Sequence, residues 1–170
     1  TGDPASPQQL AINGSDETLT WQQLSVAVED WAQRYQYCQQ PAGTPVVLYG
    51  HQQAEFAVAI YSCLLHNIPY IPVDCIYPQE RLKEICQLAQ APYYYHVATK
   101  QFVATGEKGA VLAEQDLAYI MFTSGSTGNP KGVQIGRESL WHFMKWVRQD
   151  FSLPETPVLM NHACLLYTSD

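Results

Sequence analysis

The chain has 170 residues, 46% of them apolar, and 9 Lys and Arg against 16 Asp and Glu give it a net charge of −7. That is enough chain for one domain with a real core, and the acidic balance argues against nucleic acid or an anionic membrane as the main partner. No apolar run approaches the ~20 residues that span a bilayer, and Thr1 opens no basic-then-apolar leader, so a cytoplasmic protein is expected.

Cysteine and histidine usage narrows the chemistry further. Cys38, Cys63, Cys75, Cys86 and Cys164 are odd in number and form no C-x-x-C, which points to neither a disulfide framework nor a zinc site. Cys63 and Cys86 fall on apolar helical faces and read as core residues. His51, His66, His96, His142 and His162 are scattered without a His/carboxylate cluster, so no metal held by side chains alone is expected.

In chain order, residues 1–9 read as an irregular lead-in. Residues 10–12 and Leu19 predict two short strands around Asn13-Gly14, a strong hairpin turn signal. Thr20 starts a helix with Gln23 three residues on, the arrangement of a capping box. Leu24, Ala27, Val28, Trp31 and Tyr35 then follow on one helical face. Gly43 and Pro45 close the connection to a buried strand over 46–49. A second helix is predicted over 53–66, with Phe56, Ala59, Ile60 and Cys63 inward. The next strand, 68–73, is interrupted by Pro69 and Pro72. Pro78 at the first helical position opens a third helix with Leu82, Ile85 and Leu88 inward. Residues 93–97 read as a strand, and 98–115 as a polar connection. A buried strand over 117–122 precedes a loop, and a second extended run begins at Val133. After Gly136 a fourth helix carries Leu140, Phe143, Met144 and Val147 at helical spacing. The last strand is predicted over 158–160. Strands alternating with amphipathic helices mean an α/β domain with a largely parallel sheet, whose ligands sit in crevices beyond strand ends.

The loop between Phe122 and Val133 carries the chemistry. Its order is Thr123, Ser124, Gly125, Ser126, Thr127, Gly128, Asn129, Pro130, Lys131, Gly132. Gly125, Gly128 and Gly132 let the backbone approach an anion and aim N–H groups at it. Thr123, Ser124, Ser126 and Thr127 add hydroxyl donors, and Lys131 a compact positive charge. It is not the P-loop pattern, because Lys131 is followed by glycine and an extended run rather than by Ser/Thr and a helix. Nor does Gly125-Ser-Thr-Gly128 have the GxGxxG spacing of dinucleotide sites. A Ser/Gly-rich surface turn that contains a lysine has the same composition; the internal order separates the two.

That ten-residue order resembles the signature loop of adenylate-forming enzymes, the acyl-CoA synthetases, luciferases and amino-acid adenylation domains. Other segments add to the likeness. Leu19-Thr-Trp-Gln-Gln-Leu24 is similar to the family's early Leu-Thr-Tyr-x-x-Leu, and Pro78-Gln-Glu-Arg-Leu82 matches the segment after its Pro-Val/Ile-Asp motif. The Pro-Val/Ile-Asp motif itself looks like residues 65–74 here. Within the family, residues 66–70 and the helix over 140–151 look most like the D-alanine–D-alanyl carrier protein ligases. The resemblance implies the first part of the large N-terminal domain of an adenylate-forming enzyme, covering residues 1–163, and two half-reactions. A carboxylate, here D-alanine, attacks the α-phosphate of ATP with Mg2+, releasing pyrophosphate. The phosphopantetheine thiol of a D-alanyl carrier protein then displaces AMP, a step toward teichoic acid D-alanylation. Thr123, Ser124, Gly125, Ser126, Thr127, Gly128 and Lys131 would hold the nucleotide, with Lys131 the catalytic charge. An adenylation domain of a peptide synthetase, or another acyl-activating ligase, shares these motifs, and a non-catalytic phosphate-binding module shares the loop.

Other conspicuous residues receive plainer readings. Asp74 reads as mainly structural, Tyr93, Tyr94 and Tyr95 as alternately buried and exposed strand residues, and Trp141 and Trp146 as packing or rim residues. Arg137 reads as a solvated charge at a helix terminus rather than a phosphate ligand. The family's aromatic, Asp-containing substrate segment, its Tyr-Gly-Pro-Thr-Glu and Thr-Gly-Asp motifs, its C-terminal catalytic lysine and its small C-terminal domain have no counterpart in the sequence. The chain is therefore expected to be an inactive fragment, and residues 164–170, which fit none of the family's pattern, an artefactual tail.

Overall fold

A computed structural model describes residues 6–110, 116–124 and 130–151. Val46, Val47, Leu48 and Tyr49 are apolar without alternation, the pattern of a strand covered on both faces. They form β3 (Val46–Gly50), buried throughout, beside β4 (Tyr70–Asp74), equally buried. The two run parallel in register from Val46↔Tyr70 to Gly50↔Asp74. On the other side β3 pairs parallel with β5 (Tyr93–His96), and β4 pairs parallel with β7 (Leu117–Ser124) at Tyr70↔Tyr119. Pro72 lies within β4 and has no N–H to give. The edges are antiparallel: β6 (Gln101–Ala104) on β5, and β8 (Pro130–Gly136) on β7. The strand order is therefore β6-β5-β3-β4-β7-β8.

Helices cover both faces. Alternate residues of β3 serve opposite cores, as the two-residue period of a strand requires. Val46 and Leu48 pack with Leu24, Val28 and Trp31 of α1 (Trp21–Gln36) and with Phe56, Ala59 and Cys63 of α2 (Ala54–Leu65). Val47 and Tyr49 pack with Leu82, Ile85 and Cys86 of α3 (Gln79–Ala89). The capping box of α1 forms as its sequence dictates: Gln23 N–H donates to Thr20 Oγ1, and Thr20 N–H to Gln23 Oε1 at 2.9 Å. Trp31, fully buried, stacks on Tyr35 and meets Tyr95 and Phe102 edge-on, tying α1 to β5 and β6. Beside it the buried carboxylate of Glu55, in the first turn of α2, accepts from the Tyr95 hydroxyl. Arg34 and Lys100 lie 3.5 and 3.4 Å from it and neutralise it.

Several expectations need correction. Asn13-Gly14 does not form a two-residue turn. β1 (Leu10–Asn13) and β2 (Thr18–Thr20) are joined through residues 14–17, because Gly14 is pressed against the start of α2. The strand expected over 68–73 begins at Tyr70 and ends at Asp74. Pro78 is the N-cap of α3, not its first helical residue, and Leu88 faces solvent at 55% exposure; Cys86 and Ala89 complete the inner face instead. The polar connection over 98–115 contains β6, entered through a 3-10 turn (Val97–Thr99) that His96 caps. Tyr95 is buried while Tyr93 and Tyr94 are half-buried. The stripe of α4 (Arg137–Asp150) is not core among the described residues, since Phe143 and Met144 are more than half exposed and Leu140 and Val147 only half-buried. Trp141 is likewise exposed and packs as little. The strand expected over 158–160 lies outside the described residues, as does the tail.

Candidate functional site

The signature loop is the turn of the β7–β8 hairpin. Its ladder runs from Leu117↔Gly136 through Phe122↔Gly132 and Thr123↔Lys131 to Ser124↔Pro130. Residues directly opposite in an antiparallel pair share a face, so Thr123 and Lys131 stand side by side, both exposed, where the hairpin opens. Pro130 is buried and anchors the returning strand. Gly132 has a packing reason to lack a side chain: a Cβ there would lie 3.0 Å from Ile120 Cγ2 and 3.2 Å from Phe122 Cζ. Gly125, Ser126, Thr127, Gly128 and the Ser124 side chain lie outside the described residues.

Because β7 is parallel to β4 and β3, the loop leaves the sheet at its C-terminal edge, the edge that receives ligands in α/β sheets. Another anion site usual at that edge is already filled. The N-terminus of α2 follows β3 and would offer N–H groups to a phosphate, yet Ala54 N–H donates to Asp16 Oδ1 at 2.9 Å. Gly14 lies against the same nitrogen, so the β1–β2 hairpin seals this helix end. The loop after β7, with its lysine, stands at the same edge.

Asp74 also lies at this edge. It is 2% exposed; its Oδ1 accepts from Ile76 N–H at 3.0 Å, and its Oδ2 lies 2.9 Å from His51 Nδ1. The structural reading of Asp74 thus holds, but its pairing with His51, immediately past β3, was missed. The signal was the placement of a histidine and an aspartate at the ends of two predicted parallel neighbours.

Arg137 is the clearest correction. It is neither solvated nor near the loop: it begins α4 at the opposite edge of the sheet, where its guanidinium donates to Leu64 O at 3.0 Å. A cation on the last carbonyls of α2 complements the negative end of that helix. It also opposes the upward push that burial exerts on the Cys63 thiol and the Tyr70 phenol. Among the described residues no three His, Cys, Asp or Glu side chains group to hold a metal ion. No helix among them is long and apolar enough to cross a membrane.

A largely parallel sheet covered on both faces, with a lysine-bearing hairpin at its C-terminal edge, defines an α/β domain whose ligand edge carries that hairpin. The chain belongs to the AMP-binding enzyme family, whose model matches residues 4–110 and 94–168. It is 31% identical to the D-alanine–D-alanyl carrier protein ligase of Bacillus licheniformis over 92% of its own length and 35% of that protein's. It is 30% identical to the ligase of the same name from Staphylococcus aureus, over 84% of its length and 32% of that protein's. The chain thus spans about a third of the length of these curated relatives. The fold matches that of FmoA3, a nonribosomal peptide synthetase, with a TM-score of 0.75 at 19% identity, covering 95% of this chain and 19% of that one. It also matches o-succinylbenzoate CoA synthetase from Bacillus subtilis in complex with an acyl-adenylate intermediate, with a TM-score of 0.69 at 18% identity, covering 89% of this chain and 45% of that one.

Proposed function

We propose that the protein is an ATP-dependent ligase that activates D-alanine as its adenylate and passes it to the phosphopantetheine thiol of a D-alanyl carrier protein. The chain supplies the polyphosphate grip. What carries the reading is the signature order of residues 123–132 on a hairpin that sets Thr123 beside Lys131 at the C-terminal sheet edge. The likeness to ligases named for D-alanine gives the substrate and partner.

In the first half-reaction a carboxylate oxygen of D-alanine attacks the α-phosphorus of ATP, and the bond to the β-phosphate breaks. Charge accumulates on the departing pyrophosphate, so catalysis is largely positioning and electrostatic stabilisation. Thr123, Ser124, Ser126 and Thr127 offer hydroxyl donors to it, Gly125 and Gly128 bring backbone N–H groups close, and Lys131 neutralises charge. Magnesium would arrive with the nucleotide. In the second half-reaction the thiolate sulfur attacks the acyl carbon and AMP departs. Both substrates place the work in the cytoplasm, upstream of teichoic acid D-alanylation.

The peptide-synthetase fold match favours a second reading, an adenylation domain for another amino acid. Amino-acid-dependent ATP–pyrophosphate exchange by the full-length protein separates the two. The proposal expects exchange with D-alanine well above that with any L-amino acid. Exchange with an L-amino acid and none with D-alanine would reject it in favour of the second.

A further inference from the structure

We propose that His51 is a second contact for the nucleotide's phosphates, held in place by Asp74; this rests on the adenylation reading above. Asp74 is buried and uses both carboxylate oxygens inward, one on Ile76 N–H and one on His51 Nδ1. The imidazole it holds is 35% exposed. With Nδ1 engaged on a buried carboxylate, the opposite ring nitrogen, Nε2, is the one available to a ligand, and among the described residues it meets no protein group. With Nδ1–H given to that carboxylate, Nε2 bonds a phosphate oxygen only when it too carries a proton, so the contact is made by the imidazolium, whose direction Asp74 fixes. His51 N–H further donates to Gln53 Oε1 at 2.7 Å, which fixes the backbone on which the ring stands.

Placement supports a ligand role. Gly50, the residue before His51, is level with Asp74. β4 pairs with β7 at Tyr70↔Tyr119; four residues further along each strand come Asp74 and Thr123, and Thr123 faces Lys131. The C-terminal edge of the sheet therefore carries both the His51–Asp74 pair and the mouth of the phosphate loop. β3 and β7 are two strand spacings apart, about 10 Å, and the side chain of His51 and a polyphosphate span that gap from either side. The usual third candidate, the N-terminus of α2, is already taken by Asp16. Asp74 acts through His51 and is a positioning residue.

A structural tie between the ends of β3 and β4 would use the same Asp74 contact, and two substitutions distinguish the roles. In His51→Asn the amide NH2 takes the place of Nδ1, preserving the bond to Asp74 while removing Nε2. In His51→Gln the longer side chain restores a donor near Nε2 and gives up the bond to Asp74. Both are made in the full-length protein and assayed by D-alanine-dependent pyrophosphate exchange and by thermal melting. We expect His51→Asn to raise the KM for MgATP about tenfold, the loss of one hydrogen bond to a charged group, with an unchanged Tm. His51→Gln should keep KM within about twofold and lower Tm. An unchanged KM in His51→Asn, with Tm lost in His51→Gln, would overturn the inference and leave a structural tie. Absence of exchange in the unsubstituted protein would instead overturn the adenylation reading.

Discussion

Gly14 shows how a residue's reason can sit in a different element. Next to Asn13 it reads as a turn glycine, yet its φ is not left-handed, and the left-handed glycines among the described residues are Gly43, Gly106 and Gly109. A Cβ at Gly14 would instead lie 2.3 Å from Ala54 N and 2.9 Å from Ala54 Cα. Backbone cannot yield as a flexible side chain can, so Gly14→Ala forces the β1–β2 hairpin off α2. We expect a loss of about 1–3 kcal/mol, the usual cost of overpacking, read from the urea midpoint; a midpoint equal to that of the unsubstituted protein would show that the hairpin is free to move. The signature loop can be singled out in the sequence because its chemistry is local: hydroxyls, glycines and a lysine in one short order. Gly14, His51 and Arg137 cannot, because each is defined by a partner far away in sequence: Ala54, Asp74 and Leu64.

Elements whose signals are local came out of the sequence with the right type and, for α1, the right boundary. Thr20 and Gln23 fix the start of α1 through reciprocal side-chain bonds to backbone N–H groups, a device worth ~1 kcal/mol. β6 escaped notice because little in residues 101–104 marks a strand. It is specified by pairing with β5, Tyr94↔Val103 and Tyr95↔Phe102, and by the Trp31–Phe102 contact. Its entry residue, Lys100, is left-handed at φ 54°, a conformation that lysine gives no warning of; bonds from Lys100 Nζ to Glu17 and Glu55 hold it there. α4 shows the opposite limit. Its apolar spacing predicts a helix, which forms, but spacing alone says nothing of what the stripe packs against.

At the scale of the molecule, alternation of strands and helices was enough to give an α/β domain with a parallel centre, because doubly covered strands must be apolar throughout. The order β6-β5-β3-β4-β7-β8 was beyond it, since nothing local says on which side of β3 each new strand is laid. Burying phenols and thiols on both faces of this sheet has a consequence for pH. Burial, aided by the charge of Glu107, pushes the Cys86 thiol up to about 12, and burial raises Cys63, Tyr35, Tyr70 and Tyr95 as well. Each is held neutral in the folded state, so its contribution is complete below the unfolded values, about 8.5 for thiol and about 10 for phenol. It is lost as pH rises through the folded ones. The urea midpoint should therefore fall steadily between pH 9 and pH 11 in reducing buffer; a flat midpoint would mean these groups ionise as freely folded as unfolded. The proposal that joins fold to function is that Lys131 and the loop before it grip a polyphosphate at this sheet edge. The most direct measurement is ATP–pyrophosphate exchange with D-alanine by the full-length protein, beside its Lys131→Ala variant. We predict exchange in the first and a loss of about 100-fold or more in the second, the cost of removing one preorganised charge-stabilising donor; equal exchange in the two would contradict the account.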